Sequence, residues 1–153
     1  MSNTLAQSFQ NLNLRNDRNK GAPPIPLTIP QRMTYGRRMY FGIETTEEWL
    51  VEYATKCGYI PPFPSKYDSV GQALVLLEAN SGIRIIPQSA FAQSTPIPPP
   101  ITKVTYPLKE AEAIIVAICS DSPRSFAKRP SQERVDVLKQ IMGREAMWWV
   151  EAS

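Results

Sequence analysis

Residues able to do chemistry are concentrated where an apolar run ends in the C-terminal half of the chain. Cys119, Ser120, Asp121 and Ser122 directly follow the β-branched and apolar residues 114–118. A thiol or hydroxyl beside a carboxylate can act as nucleophile or acid–base pair when burial shifts the pKa values of these groups. Because open sheets with helical crossovers bind ligands at the carboxyl ends of strands, Cys119 and Asp121 are the candidate catalytic residues. The alternative is a buried cysteine that ends a strand, followed by a turn.

Four basic residues surround the expected start of the last helix, namely Arg124, Lys128, Arg129 and Arg134. A helix N-terminus offers free N–H groups and the positive end of its dipole, which neighbouring cations can complete into a phosphate or carboxylate site. These four residues are the candidate ligands of an anion, and a solvated loop is the alternative. The Lys-Arg-Pro-Ser sequence of residues 128–131 also suits a basophilic kinase, with Ser131 as acceptor.

Aromatic residues indicate a second kind of site, a surface for a protein partner. Tyr59, Phe63 and Tyr67 lie in a proline-rich loop. Trp148 and Trp149 are adjacent on an expected strand, so their rings should point to opposite faces of the sheet. An exposed tryptophan is typical of interaction hot spots. The alternatives are a loop folded back over the core and a helix covering the second tryptophan.

The sequence lacks the residues that several classes of catalytic and cofactor site require. The chain has no histidine, which removes Ser-His and Cys-His catalysis and most zinc sites. Its two cysteines are far apart, and its seven glycines are too dispersed for a phosphate-binding loop. The sequence therefore predicts no metal and no cofactor, and it favours binding over enzymatic catalysis.

Charge is unevenly distributed along the 153 residues. Residues 1–40 contain six basic residues and one acidic residue, whereas the remainder contains eleven basic and thirteen acidic residues. We expect residues 1–31 to be a flexible, basic, proline-containing arm and residues 32–153 to be one domain. Binding of nucleic acid by the arm is the weakest hypothesis. Residues 25–29 alternate apolar residues with prolines, so this stretch could instead lie along the domain as an edge segment.

Compartment follows from what the sequence lacks. No apolar window approaches the roughly 20 residues of a membrane span, and residues 1–18 lack the apolar core of a secretory signal. The two cysteines form no Cys-x-x-Cys pair. We expect a cytoplasmic protein with reduced thiols and no membrane association.

Hydrophobic periodicity predicts an α+β domain in which about three helices pack on a mixed sheet of about five strands. Thr45 and Ser69 are expected to cap the first two helices through capping boxes, and Ser131 the third. The run of residues 111–119 is expected to be a central strand. The order is strand 37–44, helix 46–57, helix 70–79, strand 83–86, strand 101–106, strand 111–119, helix 132–142 and strand 145–151.

The leading hypothesis is a non-catalytic interaction or regulatory protein that binds a partner, or a second copy of itself, through the exposed tryptophan and the proline-aromatic loops. The alternative is a binder of a small anionic ligand, or an atypical histidine-free enzyme, with its pocket near residues 119–129. A concave, partly apolar cavity at that strand end would favour the alternative.

Overall fold

The computed structural model describes residues 22–62, 65–93, 97 and 112–152. Most of the expected arm, the expected strand 101–106 and the candidate partner residue Phe63 lie outside the described residues. No helix in the described part combines the length and the apolar character needed to cross a bilayer.

The chain folds as an α+β domain, as predicted from the periodicity. Within the described residues the sheet has four strands rather than five, and they pair antiparallel throughout rather than as a mixed sheet. A fourth helix, too short to give a periodic pattern, follows the third strand. The elements are β1 (Met39–Thr45), α1 (Glu47–Lys56), α2 (Lys66–Ser81), β2 (Ile86–Phe91), β3 (Glu112–Ser120), α3 (Pro123–Ala127), α4 (Gln132–Met142) and β4 (Met147–Val150).

The helix boundaries show which capping predictions hold. Thr46, not Thr45, caps α1, with its Oγ1 accepting from the Trp49 N–H at 3.0 Å. Ser69 lies buried inside α2, which begins a turn earlier after Ser65, so that predicted cap is also wrong. Ser131 caps α4 as expected. For α1 the capping hydroxyl belongs to the adjacent threonine, a choice that spacing alone cannot make, whereas α2 begins after Ser65 without a side-chain capping hydrogen bond.

The strand order is β2-β3-β1-β4, which places β3 inside the sheet as predicted. β1 and β3 pair from Tyr40 opposite Ser120 at one end to Thr45 opposite Ile114 at the other. The edge strands β2 and β4 approach each other through an isolated bridge between Ala90 and Glu151. The sheet is therefore strongly curled.

Both faces of the curled sheet are covered. On one face, Ile43 and Val116 pack with residues of the helices, including the fully buried Leu50, Leu77 and Leu138. On the other face the Trp149 side chain packs with small and β-branched residues, which are Ala90, Ile115 and Ala117. Burial of these side chains supplies most of the driving force for folding.

Residues 22–31 run along the domain. Ile25 is buried in the main core, and Pro24 forms an isolated bridge with Ser131. The Ile25 N–H donates to the Pro130 carbonyl at 2.7 Å, and the Arg129 Nε donates to the Ile25 carbonyl at 2.6 Å. This arrangement corresponds to the edge-segment alternative for residues 25–29.

Candidate functional site

An open cavity of about 330 Å³ lies where β3 ends. Tyr40 at the start of β1 and Ile86 at the start of β2 approach it from the two neighbouring strands. The cavity is lined by Tyr40, Arg84, Ile86, Ala117, Ile118, Cys119, Ser120, Ser125 and Lys128. Its volume falls within the range of small-molecule sites, roughly 300 to 1,000 Å³.

The pairing of β1 with β3 is irregular beside the cavity. Phe41 lies opposite Cys119 whereas Gly42 lies opposite Ala117, so Ile118 is an extra residue on β3. A β-bulge of this kind changes the direction of the strand and is frequent beside functional sites. Ile86, which is 53% exposed, adds apolar surface from the sheet edge.

Serine hydroxyls tie the end of β3 to α3. The Ser120 N–H donates to Ser125 Oγ at 2.9 Å, and Ser122 Oγ caps α3 by accepting from the Ser125 N–H at 3.3 Å. Ser120 Oγ lies 3.2 Å from Ser122 Oγ. Because Ser125 Oγ acts as acceptor in its bond with Ser120, its own proton is available to a molecule in the cavity.

The two candidate catalytic residues do not form a reactive pair. Burial raises the pKa of Cys119 to about 11, against a smaller opposing effect of the Arg129 charge. The thiol is therefore protonated near neutral pH and is a weak nucleophile. Asp121 is not among the residues lining the cavity, and its Oδ1 lies 3.8 Å from an Arg38 guanidinium nitrogen.

The four predicted anion ligands are separated by the fold. Lys128 lines the cavity, and Arg124 is exposed on α3 without lining it. Arg129 donates to the carbonyls of Ile25 and Phe126, and Arg134 donates to the Gly82 carbonyl at the end of α2. Two of the four side chains are thus engaged with the main chain.

Arg84 is the cation that the sequence did not indicate. It precedes β2 and joins Lys128 at the cavity, although 44 positions separate them in the chain. No local pattern marks it, because only the pairing of β2 with β3 brings the two residues to one place. Ser131, the residue suited to a kinase, is buried and caps α4.

The tryptophans lie on opposite faces of the sheet, as their adjacency predicted. Trp149 is 4% exposed, and its Nε1 donates to the Gly42 carbonyl at 3.1 Å. Trp148 is half-buried, with its ring 5.6 Å from that of Phe41 and 6.4 Å from that of Phe126. Trp148 is the less buried of the two, and neither indole is fully exposed, because the curl of the sheet encloses Trp149 and the region around α3 partly covers Trp148.

The aromatic residues between α1 and the first turn of α2 differ in their exposure to solvent. Tyr59 is half-buried against the main core, whereas Tyr67 is 74% exposed at the start of α2. Ile60, beside Tyr59, is 86% exposed. Among the predicted partner residues that the structure describes, Tyr67 alone is largely open to solvent.

Comparisons with known proteins add no functional information. No family model, curated protein or solved structure matches this chain. Within the described residues, no group of three or more acidic or cysteine side chains is arranged to hold a metal ion.

Proposed function

We propose that the protein binds a small organic anion with an apolar body in the cavity at the end of β3. One observation carries this proposal: among the residues that the structure describes, the cavity is lined by two cations, Arg84 and Lys128, and by no acidic side chain. A carboxylate or phosphate ester would neutralise this charge. The apolar body of the same ligand would cover the exposed side chain of Ile86.

Hydroxyl groups supply directional contacts for the anion. Burial raises the pKa of Tyr40, and the nearby Glu151 carboxylate raises it further, so the phenol stays protonated and acts as a donor. Ser125 offers a second hydroxyl proton. Two cations and two neutral donors around one opening are a common arrangement for recognising a carboxylate or phosphate ester.

The protonated Cys119 thiol and the absence of Asp121 from the lining favour a binding role. Nucleophilic catalysis requires an activated nucleophile within hydrogen-bond reach of a base. In the described part of the chain, the cavity lining offers hydroxyls, a neutral thiol and cations, but no carboxylate. A carrier, sensor or regulatory domain for an anionic metabolite is the function that these residues support.

The test uses 1-anilinonaphthalene-8-sulfonate, a fluorescent anion with an apolar body, followed by displacement with phenyl phosphate. Substituting Arg84→Gln together with Lys128→Gln should weaken both affinities about thirtyfold, since each of the two exposed cations contributes roughly 1 kcal/mol of attraction. Arg124→Gln is the matched control, because it removes an exposed cation of α3 that does not line the cavity.

Three results decide the outcome. Selective loss in the double variant, with Arg124→Gln close to the parent protein, supports the proposal. Equal loss in both variants would mean that the dye senses only overall charge, and unchanged binding would place the dye elsewhere. Benzyl alcohol, which lacks the anionic group, should displace the dye poorly, and efficient displacement would contradict an anion site.

A second candidate function is binding of a protein partner, including a second copy of this chain. Its supporting observation is the exposure of Ile60 on the loop before α2 and of Tyr67 in the first turn of α2. Size-exclusion chromatography with light scattering on the parent protein and on Ile60→Ser with Tyr67→Ser tests self-association. A dimer that dissociates in the variant would favour this candidate, whereas a monomeric parent protein would exclude self-association through this loop.

A further inference from the structure

A second cavity, also of about 330 Å³, lies at the opposite end of the β1–β3 ladder. It is bounded by the last residues of β1, the first turn of α1 and the first residues of β3. Of the residues described by the structure, four carboxylates and one cation, Lys66, line it. The carboxylates are Glu44, Glu47, Glu48 and Glu112.

The pairing of these carboxylates is incomplete. An Arg144 guanidinium nitrogen lies 3.3 Å from Glu44 Oε1, and Lys66 Nζ lies 3.0 Å from Glu47 Oε2. Among the described residues, Glu48 and Glu112 have no ion pair. Two of the four carboxylates are therefore paired with a cation, and the other two have no such partner among the described residues.

A buried hydroxyl provides a second and independent indication of a ligand. Thr45 lines the cavity and is 5% exposed, yet its Oγ1 has no hydrogen-bond partner within the described part of the chain. Capping of α1 does not use this hydroxyl, because Thr46 performs it. Buried hydroxyls usually have a partner, since leaving one unsatisfied costs about 1 to 3 kcal/mol. A donor entering the cavity would satisfy it.

The class of ligand follows from the spread of the carboxylates. Calcium needs six to eight oxygen atoms converging at about 2.3 to 2.6 Å. The described residues contain no group of three or more potential ligands so arranged. An ammonium group needs only one carboxylate and a neutral acceptor, and a linear diamine can reach carboxylates that lie apart. The way Lys66 already pairs with Glu47 shows that this rim accepts an ammonium group.

We propose that this cavity binds a small linear diamine, with its ammonium groups at Glu48 and Glu112 and one of them donating to Thr45 Oγ1. The proposal is independent of the anion site, which shares none of these residues.

The experiment titrates the full chain with 1,4-diaminobutane at low salt, measuring affinity by calorimetry and amide shifts by ¹H–¹⁵N correlation spectra. We expect shifts centred on residues 44–48 and 112–114. Glu48→Gln with Glu112→Gln should weaken binding about thirtyfold, at roughly 1 kcal/mol for each of the two charges. Glu52→Gln, which removes an exposed carboxylate of α1 outside the cavity, is the matched control and should bind like the parent protein.

Thr45 separates a direct contact from a general charge effect. Thr45→Val removes the hydroxyl at nearly constant volume and should weaken diamine binding about fivefold, whereas Thr45→Ser keeps the hydroxyl and should bind like the parent protein. Circular dichroism melting of each variant distinguishes lost affinity from lost fold. If Thr45→Val lowers the melting temperature, the Thr45→Ser comparison and the glutamate pair decide the question.

Ligand comparisons complete the test. Butylamine should bind more weakly than the diamine, and 1-butanol should cause no shifts at the cavity. Calcium chloride binding tighter than the diamine, and lost in the Glu48 and Glu112 variant, would overturn the ammonium assignment in favour of a metal. Diamine binding that is absent, or unchanged in that variant, would overturn the site itself.

Discussion

Replacing Arg129 by methionine should show that this residue is structural, although the sequence indicated an anion ligand. Its Nε donates to the Ile25 carbonyl at 2.6 Å, one guanidinium nitrogen donates to the Phe126 carbonyl at 2.9 Å, and the guanidinium carbon lies 4.2 Å from the centroid of the Phe126 ring. Each bond from a charged donor contributes about 1.5 kcal/mol at a half-buried site, and the cation–π contact about 0.5. Since methionine keeps the packing of the side-chain stem, the free energy of unfolding should fall by about 3.5 kcal/mol.

Urea unfolding followed by tryptophan fluorescence measures this loss. Arg129→Lys keeps the charge near Phe126 but can reach only one carbonyl, so about half of the loss should remain. Arg124→Met is the control and should change stability by no more than about 0.5 kcal/mol, since Arg124 is exposed. A loss below about 0.5 kcal/mol for Arg129→Met would refute the structural role. Arg129→Met should also weaken the binding of 1-anilinonaphthalene-8-sulfonate less than Lys128→Gln does.

Three further predictions concern the core. Gly42→Ala should destabilise the protein by at least about 2 kcal/mol in urea unfolding, because the new Cβ would lie 2.5 Å from the Val116 carbonyl oxygen and neither backbone can easily move; stability equal to that of the parent protein would contradict the bulge geometry. Ile25→Ala should cost about 2 to 4 kcal/mol and Thr28→Ala almost nothing, since Ile25 is buried and Thr28 is exposed; equal effects would mean that residues 22–31 are not part of the folded unit. For Cys119, burial raises the pKa from 9.0 to about 11, so the folded state holds this proton more tightly than the unfolded state. Its contribution to stability is therefore complete below pH 9 and is lost as the pH rises toward 11, and Cys119→Ala should flatten that part of the stability profile.

The sequence predicted those elements whose periodicity or capping is local. β1 and β3 showed the alternating and continuous apolar patterns of strands, and Gly143 ends α4 in the left-handed conformation as expected of a C-terminal cap. α3 was missed because five residues give no periodicity. The antiparallel pairing was missed because strand direction depends on connections between distant parts of the chain.

The sequence predicted where the candidate site lies, but not which residues line it. A buried strand ending in Cys119 and Ser120 indicated where a pocket would lie, and a partly apolar cavity does lie there. Arg84 was missed because β2 brings it to the cavity from a distant part of the sequence. Arg129 was misassigned because the sequence cannot show that the Ile25 carbonyl reaches it before any ligand does.

The acidic cavity at the start of β3 and the basic cavity at its end should bind their ligands independently, because the length of β3 separates them. Residues 112–114 of β3 line the acidic cavity and residues 117–120 line the basic one. At about 3.3 Å per residue their centres are separated by roughly 20 Å along the strand. At physiological salt the screening length is about 8 Å, so charge at one end contributes little at the other. Glu48→Gln with Glu112→Gln should therefore leave the affinity for the fluorescent anion unchanged at that salt concentration. If the affinity instead rose severalfold, the two ends would be coupled through the sheet itself, since screened charge could not transmit the effect over that distance.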